Sequence, residues 1–343
     1  MEYRRLGRSG LEVSALCLGT MMFGDRTNAH DANEIVAHAA GAGVNFIDTA
    51  DVYANGASET ITGEAIASAR SRWILATKVG NVHSGDANRR PFTGGSSRRW
   101  ILDACDASLS RLRTDYIDIY YLHIDDAKTP LDETVGAIGA LIDSGKIRYF
   151  GVSNFRAWRI AEIVACCQRQ GVPPPVVCQP YYNLLNRMPE VEVLAACDHL
   201  GIGVATYSPI ARGVLTGKYS GGTKPEDSRA ARNDKRMMQT EFRAESFAIA
   251  DKLREHAHAT GRTPVQFALA WLWANRIVSS VIAGPRTLSQ WRDYVAAIGT
   301  RWSADDEAIV DSLVHPGHPS TPGYSDPQYP IHGRRLDREQ GSS

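Results

Sequence analysis

The chain has 343 residues, of which 43% are apolar and 22% charged, enough for a full core in one large α/β domain or two small ones. Its 38 basic and 38 acidic side chains balance, so we expect neither nucleic acid nor an anionic membrane as partner. No apolar run reaches the length of a membrane span, and the start lacks a signal-peptide core, so we expect a cytoplasmic protein. The six cysteines form no CxxC pair, which favours buried, reduced thiols.

Short apolar runs alternate with helical patterns along the chain. A hairpin is predicted at the N-terminus, with its turn at Gly7-Arg8-Ser9-Gly10. Eight strand-like segments follow, at 16–19, 44–47, 73–78, 117–123, 147–152, 176–179, 203–206 and 279–283. Between and after them, helix starts are predicted at Asp31, Ser58, Thr129, Thr263, Thr287 and Ser303, with a further helical face marked by Ile101, Cys105 and Leu109.

Three segments do not fit either pattern. Residues 80–97 and 210–240 are polar and are predicted to be long loops. Residues 315–330 contain five prolines, which predicts an extended, non-helical tail. The last residues, from about Gly333, are small and charged, and we expect them to be disordered.

Eight strands alternating with helices are typical of a (β/α)8 TIM barrel, an α/β fold whose length suits this chain. We therefore predict one barrel domain over residues 1–314, with long loops at its carboxyl face, followed by the tail at 315–343. A doubly wound sheet is the alternative, but no strand is followed by a GxGxxG sequence.

Polar side chains recur where the predicted strands end. They are Asp48 with Tyr53, Lys78, His123, Ser153 with Asn154, Gln179, Tyr207 and Arg286. Each alone is more often structural than functional. Four ionisable residues at the ends of three consecutive strands nevertheless indicate an active site, because barrel enzymes build theirs at the carboxyl ends of the strands.

These residue types fit the reduction of a carbonyl group, which needs a hydride donor and an acid. Tyr53 is a candidate acid if the Lys78 ammonium lowers its pKa, and Asp48 is a suitable partner for that ammonium. His123 is placed to polarise the substrate oxygen. Tyr207 is a candidate for stacking on a nicotinamide ring, whose carboxamide Ser153, Asn154 and Gln179 could hold.

Seven stretches carry a resemblance to a known family: NFIDTADVY, ATKVG, YLHIDD, GKIRYFGVSNF, QPYYN, YSPIARGVLTGKY and VIAGPR. In their order and spacing the chain resembles the aldo-keto reductases over nearly its whole length, including members similar to potassium-channel beta subunits. The resemblance implies a catalytic tetrad of Asp48, Tyr53, Lys78 and His123, with Tyr53 as general acid. It also implies NADPH bound across the carboxyl face without a Rossmann fold.

The candidate coenzyme-binding residues, most of them implied by the resemblance, are Thr20, Met21, Asp48, Ser153, Asn154, Gln179, Tyr207, Ser208, Pro209, Ile210, Arg212, Gly213, Leu215, Lys218, Arg229, Gly284, Arg286, Gln290, Asp293 and Tyr294. The chain departs from the family at Tyr294, where asparagine is usual, and we expect stacking on adenine there. Gln290 has a second interpretation, as the fourth residue of a helix cap opened by Thr287.

Other sites are not supported by the sequence. Gly213 to Tyr219 resembles a phosphate loop, but its spacing and last residue differ from that motif. The histidine pairs His256/His258 and His315/His318 lack the acid or cysteine pattern of a metal site, so we predict no metal.

The main functional prediction is NADPH-dependent reduction of an aldehyde or ketone, with a bulky cyclic ketone among the candidates. A regulatory NADP-binding subunit of the potassium-channel beta type is the alternative, and the resemblance implies that such subunits lack histidine at the position of His123. A barrel hydrolase or isomerase would need a phosphate or metal site. We expect a monomer or weak homo-oligomer.

The substrate pocket is predicted to have an apolar, open mouth. Its expected walls are Met22, Phe23, Tyr53, the 80–97 loop and the tail at 315–330. A surface strap or subunit contact is an equally weighted prediction for the tail.

Overall fold

The computed structural model describes residues 1–81 and 93–330. The centre of the predicted 80–97 loop and the terminal segment expected to be disordered therefore lie outside the described residues.

Ten strands occur in the described part of the chain. They are β1 (Tyr3–Arg5), β2 (Glu12–Ser14), β3 (Leu16–Gly19), β4 (Phe46–Asp48), β5 (Ile74–Val79), β6 (Ile117–Leu122), β7 (Ile147–Ser153), β8 (Val177–Gln179), β9 (Gly203–Tyr207) and β10 (Val278–Ala283). Strands β3 to β10 are parallel neighbours in chain order, and β10 pairs with β3 to close a barrel. This confirms the predicted (β/α)8 TIM barrel.

The same residues form eleven α-helices around the barrel. They are α1 (Ala29–Gly41), α2 (Ala57–Ile66), α3 (Arg98–Leu112), α4 (Leu131–Asp143), α5 (Ala157–Gln170), α6 (Val193–Leu200), α7 (Lys235–Thr240), α8 (Ala244–Ala259), α9 (Pro264–Ala274), α10 (Leu288–Ala296) and α11 (Ala304–Leu313). Their apolar faces cover the outside of the strands and form the larger of two hydrophobic clusters. Gly63 of α2 is needed at the closest approach, since a Cβ there would lie 2.3 Å from the Leu112 carbonyl oxygen.

Local capping explains most helix starts, with two corrections. The predicted helix start at Thr263 is present as a capping box with Gln266, and the Thr287 and Ser303 side chains cap α10 and α11. The prediction for α1 was wrong, because Asn28 rather than Asp31 accepts the capping hydrogen bond. Thr129 does not cap α4 either, since its hydroxyl donates to Asp126 instead.

The predicted N-terminal hairpin is confirmed, and β1 and β2 pair with each other in antiparallel register. Leu6 and Val13 on this hairpin are buried against the inward-facing side chains of the barrel strands. The turn after β1 is held at the start of β9 by the Arg8 N–H, which donates to the Gly201 carbonyl oxygen at 2.8 Å. The hairpin therefore covers the amino end of the barrel and leaves the carboxyl end free for a site.

The predicted 210–240 loop contains short helical segments that the sequence pattern did not indicate. Short 3₁₀ segments lie at Ala211–Thr216, where Arg212 and Gly213 form a kink, and at Ser220–Gly222. Helix α7 begins at Lys235, where Asp234 caps it. Further 3₁₀ turns lie at Tyr53–Gly56, Ala67–Arg72 and Met188–Glu190.

The tail has no helix between residues 315 and 330, as predicted. The tail packs on the segment that follows β8, where Asn186 pairs with Pro319 in an isolated β-bridge. Farther along, Arg236 binds the Asp326 carboxylate through two guanidinium nitrogens, at 2.9 and 2.6 Å.

Candidate active site

A cavity of about 520 Å³ opens at the carboxyl ends of the barrel strands. The predicted site residues that line it are Thr20, Met21, Asp48, Tyr53, His123, Ser153, Asn154, Gln179, Tyr207, Ser208, Pro209, Ile210, Arg212, Gly213, Lys218, Arg229, Gly284, Arg286, Gln290, Asp293 and Tyr294. Leu215 is not among them, since its side chain is buried in the hydrophobic core. Lys78 lies behind the wall and makes its polar contacts with residues that shape it.

Lys78 joins the ends of β4 and β5. Its Nζ donates to the Asp48 carboxylate at 2.5 Å, to the Thr49 carbonyl oxygen at 2.6 Å and to the Tyr53 hydroxyl at 3.3 Å. The other Asp48 oxygen accepts a hydrogen bond from the Gln179 amide at 2.9 Å. Three strand ends therefore fix one phenol at the floor of the cavity.

Burial and charge act against each other in this cluster. Burial opposes the charged form of Lys78, but Asp48 and Tyr53 outweigh it and raise the pKa of the ammonium. Burial also raises the pKa of Asp48, against the influence of Lys78 and Gln179. The ammonium accordingly stays charged in a buried site, where an ion pair is stronger than in water.

The pKa of Tyr53 is raised, which corrects the expectation that Lys78 lowers it below its usual value. Burial is the largest cause, and the Lys78 ammonium only opposes it. A neutral phenol at ordinary pH is the consequence, so Tyr53 holds a proton that it can donate.

His123 follows β6 directly and lies beside Tyr53. The two rings meet edge to face, with centroids 6.0 Å apart. Burial, with help from Lys78, holds the pKa of His123 well below its usual range, so the imidazole is neutral. Its Nδ1 has no hydrogen-bond partner among the described residues. A neutral imidazole keeps one N–H, which suits it to contact a substrate oxygen.

Amides and hydroxyls also line the cavity, at the residues where the nicotinamide end was predicted. The Asn154 amide donates to the His123 carbonyl oxygen at 2.9 Å, and its Oδ1 accepts from the Tyr207 hydroxyl at 2.8 Å. Tyr181 stacks on one face of Tyr207 at 5.6 Å between centroids. Because Tyr207 also lines the cavity, its ring is held in place by two neighbours.

Cations gather at the far end of the cavity, where the phosphate groups were predicted. Burial lowers the pKa of Lys218, and Arg229, Arg286 and Arg232 lower it further. Gly213 has a φ of +97°, and a Cβ there would lie 2.7 Å from Lys218 Cε. This excess of positive charge beside a bare backbone fits an anionic group such as a pyrophosphate.

Asp227 lies among these cations and was not anticipated from the sequence. Its carboxylate accepts from Arg286 Nη1 at 2.6 Å and also forms an ion pair with Arg26. Gln290 uses its side-chain oxygen to accept from the Arg286 N–H at 2.8 Å, next to the Thr287 cap. Gln290 therefore supports the start of α10 and also lines the cavity, while its contact with a coenzyme stays a prediction. Tyr294 is 6% exposed on the same wall.

The substrate side of the cavity differs in part from the prediction. Met22 lines the cavity, but Phe23 is fully buried in the core and takes no part in the wall. Asn81, Arg236 and the tail residues Gln328 and Tyr329 also line it. The predicted walls at Met22, Tyr53, the 80–97 segment and the tail are therefore all represented in the lining, and Phe23 is the exception. Asn81 lay within the segment singled out from the sequence, whereas no local pattern marked Arg236.

Comparison with known proteins identifies the family. The model of the aldo/keto reductase family matches residues 15–315, which is most of the chain. The chain belongs to this family. A protein of Arabidopsis thaliana named "Probable voltage-gated potassium channel subunit beta" is 39% identical over 304 residues, which cover 87% of this chain and 91% of that protein. The "Uncharacterized oxidoreductase YrpG" of Bacillus subtilis (strain 168) is 37% identical over 308 residues, covering 87% and 91%.

As a member of the aldo/keto reductase family, the chain is an oxidoreductase, and its family generally uses a nicotinamide coenzyme. The residues of the cavity fit such a group, with amides at one end and an excess of cations at the other. In the described part of the chain, no helix is long and apolar enough to cross a membrane.

Proposed function

We propose that this protein reduces an aldehyde or ketone to the alcohol with NADPH, and that Tyr53 is the general acid. The observation that carries the proposal is the position of the Tyr53 hydroxyl, 3.3 Å from the Lys78 ammonium at the floor of the cavity. The phenol holds its proton because burial keeps its pKa high. When bound, the reduced nicotinamide would supply the hydride.

Each residue of the tetrad has a distinct part in this proposal. Tyr53 gives its proton to the substrate oxygen as negative charge develops there. The Lys78 ammonium then stabilises the phenolate that remains, and the Asp48 carboxylate keeps Lys78 charged. The neutral His123 donates its N–H to the same substrate oxygen and so orients the carbonyl group.

Binding of NADPH rather than NADH is supported by the arginines at the far end of the cavity. The 2′-phosphate carries negative charge, and Arg286 presents a planar guanidinium that can bind it through two N–H groups. Arg286 is half-buried and already holds one anion, the Asp227 carboxylate. Tyr294 offers an aromatic face to the adenine.

We also propose that residues 1–314 form one catalytic barrel domain and that the tail supplies part of its substrate wall. Gln328 and Tyr329 line the cavity with Tyr53. Tyr329 is fixed through its carbonyl oxygen, which accepts from Arg156 at 2.8 Å. A wall with several polar groups favours a carbonyl substrate that carries a second hydrogen-bonding group.

Regulation is the second candidate function, because the relative from Arabidopsis thaliana carries the name of a potassium-channel beta subunit. In that case the coenzyme would bind and the protein would report its redox state to a partner. The complete set of Asp48, Tyr53, Lys78 and His123 favours turnover instead. Purified protein that binds NADPH but reduces no member of a broad carbonyl panel would favour regulation.

The test of the proposed acid is Tyr53→Phe. We expect carbonyl reduction to fall by about two to four orders of magnitude, the usual contribution of a general acid, with NADPH affinity unchanged. Turnover is followed by NADPH absorbance and binding by NADPH fluorescence. Tyr116→Phe, which removes a phenol remote from the cavity, is the control and should keep wild-type rates. Near-normal reduction by Tyr53→Phe, with coenzyme bound, would exclude Tyr53 as the acid.

A further inference from the structure

Asp51 is a buried carboxyl group that the proposed chemistry leaves without a role. It lies between Asp48 and Tyr53 in the chain and is 1% exposed. Neither of its oxygens has a hydrogen-bond partner of normal geometry among the described residues. A buried carboxylate without partners is costly, whereas a protonated carboxyl group in the same place is much less so.

The neighbours of Asp51 do not neutralise it. Glu59 of α2 is fully buried beside Asp51. Its carboxylate accepts hydrogen bonds from Arg111 Nε at 2.6 Å and from the Thr77 hydroxyl at 2.5 Å, so these two donors are already bound to Glu59. Two carboxyl groups, Asp51 and Glu59, therefore lie near a single guanidinium. Arg111 binds Glu59, so Asp51 has no bound counterion. Asp51 is the group left to carry the proton.

The turn after Asp51 carries Tyr53 and is held under strain. Ala54 and Asn55 both have left-handed backbone angles, with φ of 48° and 53°. Such conformations cost free energy and persist only where the surroundings fix them. The Asp51 N–H contacts the Lys78 carbonyl oxygen at 3.4 Å, so the same short segment contacts the strand that bears the ammonium.

Titratable or charged groups on four elements interact with Asp51 or with its neighbour Tyr120. These groups are Glu59 of α2, Arg111 and Cys105 of α3, Lys78 of β5 and Tyr120 of β6. Burial and the Glu59 carboxylate raise the pKa of Asp51 to about 8, against Arg111, the Val52 amide and Lys78. Burial raises the pKa of Cys105 to about 12, and the pKa of Tyr120 lies well above its usual value. Asp51 is thus the member of this group whose charge changes in mildly alkaline solution.

We propose that Asp51 is a positioning residue which holds the Tyr53 turn in place only while its carboxyl group is uncharged. Ionisation puts a second negative charge beside Glu59 in a dry site, and the turn must open to bring water or Arg111 to it. Opening displaces the Tyr53 hydroxyl from Lys78. The enzyme therefore loses reductase activity in mild alkali, an inference that rests on the proposed function of Tyr53.

The first measurement is the pH profile of kcat/KM for carbonyl reduction. The wild type should lose activity with a midpoint near pH 8, the pKa of Asp51. In Asp51→Asn the side chain cannot ionise, so the loss should move up by at least about two pH units, since the pKa of the Tyr53 phenol lies above the usual value of about 10. Glu59→Gln removes the neighbouring negative charge and frees Arg111 to pair with Asp51, so ionisation should no longer open the turn and the loss near pH 8 should be absent. Glu64→Gln on the same helix removes an exposed charge and should move nothing.

Hydrogen exchange tests the same turn without requiring turnover. Above pH 8 the peptide covering residues 51–56 should exchange faster in the wild type than in Asp51→Asn, with equal rates at pH 6.

The melting temperature gives a third readout. The pKa of Asp51 in the folded protein lies above the unfolded value of about 3.9, so the contribution of Asp51 to stability is lost as the pH rises from about 3.9 to about 8. The difference in melting temperature between Asp51→Asn and the wild type should grow across this pH range and then level off.

The outcomes separate this inference from the proposed function. An alkaline midpoint that is unchanged in Asp51→Asn, with equal exchange of residues 51–56 at all pH values, would overturn the role of Asp51. A protein that reduces no carbonyl compound but shows the pH-dependent exchange would overturn the proposed function. It would still support the proposal that Asp51 holds the turn at residues 51–56.

Discussion

The acid proposed for this site depends on how strongly one residue keeps its proton. Burial raises the pKa of Tyr53, and the Lys78 ammonium 3.3 Å away lowers it, with burial the larger influence. A phenol held neutral before the reaction and paired with an ammonium afterwards is stabilised in both states. The sequence indicated the pairing but not the balance, because desolvation depends on packing from all sides.

Coenzyme choice is also a residue-scale property, and it gives a prediction for Arg286. Arg286→Ala should weaken NADPH binding by several-fold or more and leave NADH binding nearly unchanged, because the guanidinium is proposed to bind only the 2′-phosphate. Fluorescence titration with each coenzyme measures both affinities.

Arg26→Ala is the matched control for Arg286. Both arginines pair with the Asp227 carboxylate, but Arg26 does not line the cavity. The Arg26 variant should keep the preference for NADPH. An equal loss of NADPH and NADH affinity in Arg286→Ala would make Arg286 a structural residue.

Residues at strand ends were the ones that the sequence could predict. Asp48, Lys78, His123 and Gln179 each follow or end a run of buried apolar residues, so their convergence follows from the barrel itself. Asp227 could not be predicted, because it meets Arg286 from a loop 59 residues earlier in the chain. No local pattern encodes a contact of that range.

At the scale of elements, the tail gives the clearest prediction. Removing the chain from Asp326 onward should raise KM for the larger carbonyl substrates and leave NADPH affinity unchanged, because Gln328 and Tyr329 line the cavity and are proposed to form its substrate wall. Removing only residues 331–343 is the control and should change neither quantity.

The alternative for the tail is a surface strap. A strap predicts that the longer truncation lowers the melting temperature or alters assembly, with the order of substrates by kcat/KM unchanged. The two-nitrogen contact between Arg236 and Asp326 makes some loss of stability expected in either case. The change in substrate preference is therefore the measurement that separates them.

Element starts were predictable where a side chain caps its own helix, as at Thr263 and Ser303. They were not predictable at α1, where Asn28 and Asp31 are both competent caps and only the path of the preceding loop selects the first. The turns at 211–216 were also missed, because Arg212 takes a left-handed conformation there. Such a conformation is set by tertiary contacts rather than by residue type.

For the whole molecule, the site imposes a stability cost on the barrel. Apolar side chains such as Leu6, Phe46 and Ile119 fill the barrel interior towards its amino end. The Lys78–Asp48 pair lies in the same barrel, with side chains 0% and 3% exposed. A buried ion pair seldom stabilises a fold more than apolar residues of the same size would. The pair is thus better explained by chemistry than by folding.

This reasoning predicts the stabilities of two variants. Lys78→Met leaves Asp48 as an unpaired buried charge, and we expect the free energy of unfolding to fall by about 3–5 kcal/mol. Combining it with Asp48→Asn removes that charge while a carbonyl oxygen remains for the Gln179 amide at the same site. The double variant should therefore recover most of the loss, as measured by urea unfolding, while carbonyl reduction stays absent in both. A double variant no more stable than Lys78→Met would show that the pair is needed for the fold itself.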